Sequence, residues 1–65
     1  MISNVRVIGL GKVGELVATL LADSGFSVTA YDARQRSGLP FQTGTLDVRD
    51  AGALRAALAG ADAVV

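Results

Sequence analysis

The stretch from Val5 to Gly14, with the sequence VRVIGLGKVG, constrains the fold of this chain more than any other feature. An apolar, β-branched run leads into Gly9, Gly11 and Gly14, which have the spacing G-x-G-x-x-G. In a dinucleotide site the first glycine permits a tight turn, the second lets a pyrophosphate approach the backbone, and the third lets a helix pack closely on the strand. The stretch therefore predicts a strand, a phosphate-binding turn and a helix whose first N–H groups and positive dipole end face the phosphates.

The residues that follow supply the rest of this motif. A helical pattern comes next, and a second apolar run ends at Asp32, 18 residues after Gly14. A carboxylate at this place accepts hydrogen bonds from the adenosine ribose hydroxyls. We also expect cofactor contacts from the residues between the glycines, Leu10, Lys12 and Val13, although a solvated side chain is the favoured alternative for Lys12. The competing interpretation is a glycine turn that binds nothing, with Asp32 only capping the next turn.

Charged residues after the second and third predicted strands bear on the choice of cofactor. The Asp32 carboxylate repels a 2′-phosphate, which favours NAD. Arg34 and Arg36 could hold a 2′-phosphate bidentately, which would favour NADP, or remain solvated loop charges. We expect NAD, with NADP as the alternative. Asp47 and Val48 end the third predicted strand and could contact the adenine, or Asp47 could cap the following helix; the sequence leaves these two roles open.

Alternating strand and helix patterns predict an α/β fold, a Rossmann-type parallel sheet with flanking helices in the order β-α-β-β-α-β. The predicted strands are 5–8, 26–31, 41–48 and 61–65, and the predicted helices are 12–24 and 51–59. The connection 33–40 contains Gly38 and Pro40 and is short for a parallel crossover. We expect at most one helical turn there.

Spacing and capping residues define the two predicted helices further. The first helix is expected to bury a stripe of apolar residues, Val13, Leu16, Val17, Leu20 and Leu21. It should end at Ser24-Gly25. Asp50 is the expected N-cap of the second helix, and Gly60 is its expected C-cap. Arg6 is expected to extend from the first strand to solvent.

Composition sets limits on function. The 65 residues suffice for one small domain, and a net charge of zero gives no reason to expect a nucleic-acid or anionic-membrane partner. The sequence has no cysteine and no histidine, which excludes disulfides, thiolate nucleophiles and histidine bases. Neither paired carboxylates nor a metal-ligand cluster stands out, so we predict no catalytic residue and no metal site. No apolar segment reaches the roughly 20 residues of a membrane span, and we expect a cytoplasmic protein.

Four segments in order carry a resemblance to a known family: VIGLGKVG, VTAYD, TLDVRD and LRAALAGADAVV. Together they resemble the N-terminal NAD(P)-binding domain of the saccharopine dehydrogenase-like family. This resemblance implies an oxidoreductase that transfers hydride to or from a carbon bearing an amine or a hydroxyl. It also implies the roles of six residues: Gly9, Gly11 and Gly14 at the phosphates, Asp32 at the ribose, and Asp47 and Val48 at the adenine.

Other interpretations stay open at this point. The chain also looks like the front of NAD(P)-binding epimerases, and a nucleotide-sensing domain of the RCK type would share the glycine turn and the acid-ended second strand without catalysis. The last apolar segment predicts a strand with no following helix, so we expect residues 1–65 to be one partial dinucleotide-binding domain of a longer protein. On that expectation the partners are a further C-terminal domain and, through an uncovered strand, a second copy of the chain.

Overall fold

A computed structural model describes residues 2–65 and shows a small α/β fold. Its elements in chain order are β1 (Asn4–Ile8), α1 (Lys12–Asp23), β2 (Ser27–Asp32), β3 (Gln42–Thr45), α2 (Ala51–Leu58) and β4 (Ala63–Val64). The strands form one parallel sheet in the order β3-β2-β1-β4. The predicted β-α-β-β-α-β order is therefore confirmed, and the architecture is compatible with a Rossmann-like α/β fold.

The main core lies between α1 and one face of the two central strands. Val5 pairs with Val28 and Val7 pairs with Ala30, and alternation along each strand places all four side chains on this face. These residues are buried, and Ala18 of α1 joins them with no exposed surface. Short β-branched and small side chains thus let the helix and the sheet approach closely.

The predicted apolar stripe of α1 is wrong in part. Val13, Leu16 and Leu20 are exposed, Val13 by 75%. Leu21, which was predicted, does pack on the core, but it is joined there by Ala18 and Ala22, which were not. The physical reason lies at Gly14, whose missing side chain lets the helix meet the turn before it, so that the row of small residues faces the sheet.

On the opposite face of the sheet, α2 meets the side chain of Arg6 from β1. Ala57 is the buried residue of α2. Arg6 does not extend to solvent as expected, because its Nε donates to the Ala57 carbonyl (3.2 Å) and its Nη2 to the Ala59 carbonyl (3.5 Å). The Asp50 N-cap is confirmed, since its carboxylate accepts from the Ala53 N–H at 3.1 Å.

The edge strand β4 is attached to β1 through a carboxylate. Asp62 accepts hydrogen bonds from the backbone N–H groups of Ser3 and Asn4, both at 2.9 Å, and from the Ser3 hydroxyl at 3.2 Å. Beyond it, the Val65 N–H donates to the Arg6 carbonyl at 2.8 Å. The hydrogen bond from Asn4, followed by that from Ser3, lowers the pKa of Asp62.

Two predicted strand bounds need correction. The strand expected over 41–48 covers only Gln42–Thr45, and the strand expected over 61–65 covers only Ala63–Val64. The third strand ends early because, after the Leu46 N–H donates to the Asp32 carbonyl, the Asp47 carbonyl accepts from the Asp50 N–H and forms a turn. The connection 33–41 contains no helical residue. Within residues 2–65, no helix is both long and apolar enough to cross a membrane.

Candidate functional site

The glycine turn joins β1 to α1 at the carboxyl edge of the sheet. Gly9 has a φ of +93°, a conformation that favours glycine, and its N–H donates to the Tyr31 carbonyl at 2.8 Å. A Cβ on Gly14 would overlap the carbonyl oxygen of Gly9. A Cβ on Gly11 would meet no atom within 4 Å. The first and third glycines are therefore needed by the protein itself, whereas the second leaves open space above the backbone.

The N-terminus of α1 opens onto that space. Gly11 is the N-cap in an extended conformation, and the Glu15 N–H, which donates to the Gly11 carbonyl at 2.8 Å, is the first to find a helical acceptor. The three N–H groups before it have no acceptor within the helix and can meet an anion. Lys12 and Val13 have exposed side chains. Leu10 is only 3% exposed, so its backbone alone reaches the site.

Asp32 ends β2 beside this turn. Its Oδ2 accepts from the Leu10 N–H at 3.2 Å, and its Oδ1 accepts from the Arg34 N–H at 3.3 Å. The Arg34 hydrogen bond and then the Leu10 hydrogen bond lower the pKa of Asp32 against the opposing effect of burial. Each carboxylate oxygen keeps acceptor capacity after these bonds. The ionised group is thus fixed in place and able to accept hydroxyl donors.

Arg36 also lies at the site, and sequence reasoning treated it only as a 2′-phosphate ligand or a solvated charge. Its Nη1 donates to the Leu10 carbonyl at 2.7 Å and lies 3.7 Å from Asp32 Oδ2. Its Nη2 contacts Glu15 Oε1 at 2.6 Å. The sequence signal that links Arg36 to Glu15 is the short connection 33–40, which brings its residues back over the turn. By contrast, the Arg34 side chain is exposed.

Asp47 and Val48 lie past the end of β3. Both Asp47 carboxylate oxygens contact the Arg49 guanidinium, at 3.0 and 2.9 Å, and Oδ1 also accepts from the Arg49 N–H. The side-chain hydrogen bond from Arg49 lowers the pKa of Asp47. Val48 is exposed. The structure thus gives Asp47 a local role in the turn before α2, and the adenine contact stays a prediction.

The structure brings four predicted or newly found features together: the glycine turn, the open end of α1, Asp32, and the Arg36–Glu15 pair. In the described part of the chain the edge carries no enclosed cavity and no group of three metal-ligating side chains. The arrangement combines anion-binding N–H groups with a fixed carboxylate acceptor. Such a combination suits a ligand that has both phosphates and hydroxyls.

No protein-family model, no curated protein and no solved structure matches this chain.

Proposed function

We propose that this chain binds NAD at the carboxyl edge of its sheet. The observation that carries the proposal is the division of roles among the three glycines. Gly14 packs directly against the Gly9 carbonyl. Gly11, in contrast, leaves the backbone at the start of α1 accessible. This is the division expected where a pyrophosphate rests on a helix N-terminus. The fixed Asp32 carboxylate beside it supplies the acceptor for the ribose hydroxyls.

The sheet topology supports the same proposal. The order β3-β2-β1-β4 corresponds to the first four positions of the 3-2-1-4-5-6 order of doubly wound dinucleotide-binding sheets. Ligands of open α/β sheets bind outside the carboxyl ends of strands where the chain reverses its direction of winding, and β1 is the strand at that point. One departure is the connection from β2 to β3, which lacks the helix that such sheets carry.

The proposed choice of NAD over NADP rests on charge. An ionised Asp32 repels a 2′-phosphate, and the guanidinium of Arg36 is already paired with Glu15. We further propose that this binding serves hydride transfer in a saccharopine dehydrogenase-like oxidoreductase, at a carbon bearing an amine or a hydroxyl. That step rests on the resemblance of the four sequence segments. The residues at this edge would contribute cofactor binding to the reaction, and NAD would supply the hydride chemistry.

Calorimetric titration with NAD, NADH, NADP and NADPH tests the proposal. We expect the NAD pair to bind more tightly than the NADP pair. Gly11→Ala should keep the fold, because its Cβ meets open space, yet weaken NAD binding about tenfold or more by blocking the pyrophosphate. Asp32→Asn should weaken NAD binding to a similar degree through the ribose, because hydrogen bonds to charged groups are the strong ones.

Asp23→Asn is the matched control for Asp32→Asn. Asp23 is an exposed acid at the far end of α1, and its replacement changes the net charge equally. NAD affinity should be unchanged in this variant. A folded wild-type chain that binds none of the four dinucleotides, or a Gly11→Ala variant with full affinity, would overturn the proposal.

A further inference from the structure

The position of Arg36 beside Asp32 raises a question about cofactor choice that the glycine motif does not answer. Its side chain is 28% exposed, and its guanidinium lies between two carboxylates. It contacts Glu15 Oε1 at 2.6 Å but lies 3.7 Å from Asp32 Oδ2, so Glu15 is its main partner. The Leu10 carbonyl accepts a third contact at 2.7 Å. Arg36 therefore reaches from the β2–β3 connection across the glycine turn to α1.

A guanidinium at this place is a natural ligand for a phosphate on the ribose. Asp32 is the proposed acceptor for the ribose hydroxyls, and Arg36 lies within a few ångströms of that carboxylate. Arg binds phosphates through a planar fork of N–H donors. One N–H of Nη1 is, however, engaged by the Leu10 carbonyl, and one N–H of Nη2 is engaged by Glu15. A 2′-phosphate would have to compete with the Glu15 carboxylate for the guanidinium.

We propose that Glu15 is a specificity-determining residue, which excludes 2′-phosphorylated dinucleotides by holding and neutralising Arg36. The inference rests on the proposed NAD function and adds Glu15 to Asp32 as a residue that sets the preference for NAD over NADP. Glu15 lies in the first turn of α1, so the helix that receives the pyrophosphate also carries the group that occupies Arg36. Removing the Glu15 charge leaves Arg36 free to pair with a phosphate.

The test compares the NADP and NAD dissociation constants of wild type and Glu15→Gln by calorimetry. Glutamine keeps an oxygen that can accept from Arg36 but lacks the charge. The ratio of the NADP constant to the NAD constant should fall about tenfold in Glu15→Gln, because one charge-assisted contact becomes available to the phosphate. Glu15→Gln combined with Arg36→Gln should cancel this gain. Asp23→Asn, on the same helix, should leave the ratio unchanged.

A second pair of probes isolates the phosphate itself. Adenosine 2′,5′-bisphosphate and 5′-AMP differ only in the 2′-phosphate, and Glu15→Gln should strengthen binding of the first without changing that of the second. If wild type binds NAD and the ratio is the same in Glu15→Gln, the role of Glu15 is wrong while the NAD site stands. If the folded wild type binds no dinucleotide, both proposals fall.

Discussion

The two halves of this molecule have the same pattern of strand, helix and strand but are stabilised differently. The front unit, residues 4–32, contains β1, α1 and β2 and holds a contiguous cluster of buried apolar residues. The rear unit, residues 42–64, contains β3, α2 and β4, and its buried residues within the described chain are Leu46 and Ala57. It is otherwise attached through the backbone ladders of β3 with β2 and of β4 with β1, and through hydrogen bonds that Arg6 donates and Asp62 accepts.

This difference shows how a short α/β chain divides its interactions. A chain of this size buries only about 60% of its unfolded surface, so one face of the sheet receives most of the apolar packing. The front unit has that face, and it also provides the glycine turn and Asp32. The rear unit completes the sheet at both edges with polar contacts. The candidate site therefore depends on the better-packed half.

Gly14→Ala should cause the largest loss of stability, because it places a methyl group where α1 and the glycine turn of the front unit are in contact. The new Cβ would overlap the Gly9 carbonyl oxygen, so either α1 or the turn must shift. We expect a loss of about 3 kcal/mol in the free energy of unfolding, at the upper end of overpacking costs. Urea denaturation of wild type and variant measures it.

Gly11→Ala is the control for that experiment, since the same change three residues earlier meets open space. It should cost little stability. Equal stability losses in the two variants would contradict the division of roles among the glycines.

Asp50→Ala tests the rear unit and should have an intermediate effect. Loss of the N-cap acceptor for the Ala53 N–H should cost about 1 kcal/mol. Native-state hydrogen exchange should show faster exchange in α2, with unchanged protection in β1 and β2. Asp50→Ser, which keeps a capping oxygen, should restore most of the protection. Equal acceleration in β1 would mean that the two units unfold together.

Asp62→Asn should have the smallest effect, and that effect should depend on pH. Because folding lowers the Asp62 pKa, the ionised carboxylate stabilises the folded chain at neutral pH. This contribution is lost as the pH falls through the range of carboxyl titration, about pH 4 and below. The difference in Tm between wild type and Asp62→Asn should therefore be largest near pH 7 and shrink toward pH 3. A difference independent of pH would contradict this account of the junction between β1 and β4.

Much of the fold could be predicted from local signals. The glycine spacing and the apolar runs predicted β1, α1 and β2, and the helix stop near Gly25 is confirmed by its φ of +95°. Asp50 could be predicted as an N-cap because an aspartate directly before a helical pattern is a sufficient signal for that role. These predictions succeed because strand, turn and cap formation depend here on residues that are close together in the sequence.

The sequence predictions fail where contacts between residues distant in sequence determine the structure. The buried face of α1 is chosen by the contact between Gly14 and Gly9, which brings Ala18 rather than Leu16 onto the sheet. The pairing of Glu15 with Arg36 joins residues separated by a whole strand, and charge type alone does not predict it. The end of β3 at Thr45 depends on a turn built by Asp47. Periodicity carries no information on such contacts.

The close contact between Gly9 and Gly14 also has a consequence for the rate at which the proposed site would bind NAD. It joins the turn and the first helical turn into one stiff unit, and the Leu10 N–H fixes Asp32 to that unit. A site that is preorganised in this way spends little conformational entropy on receiving its ligand. We therefore expect association to proceed without a slow rearrangement step, so that affinity changes among the site variants arise mainly in the dissociation rate.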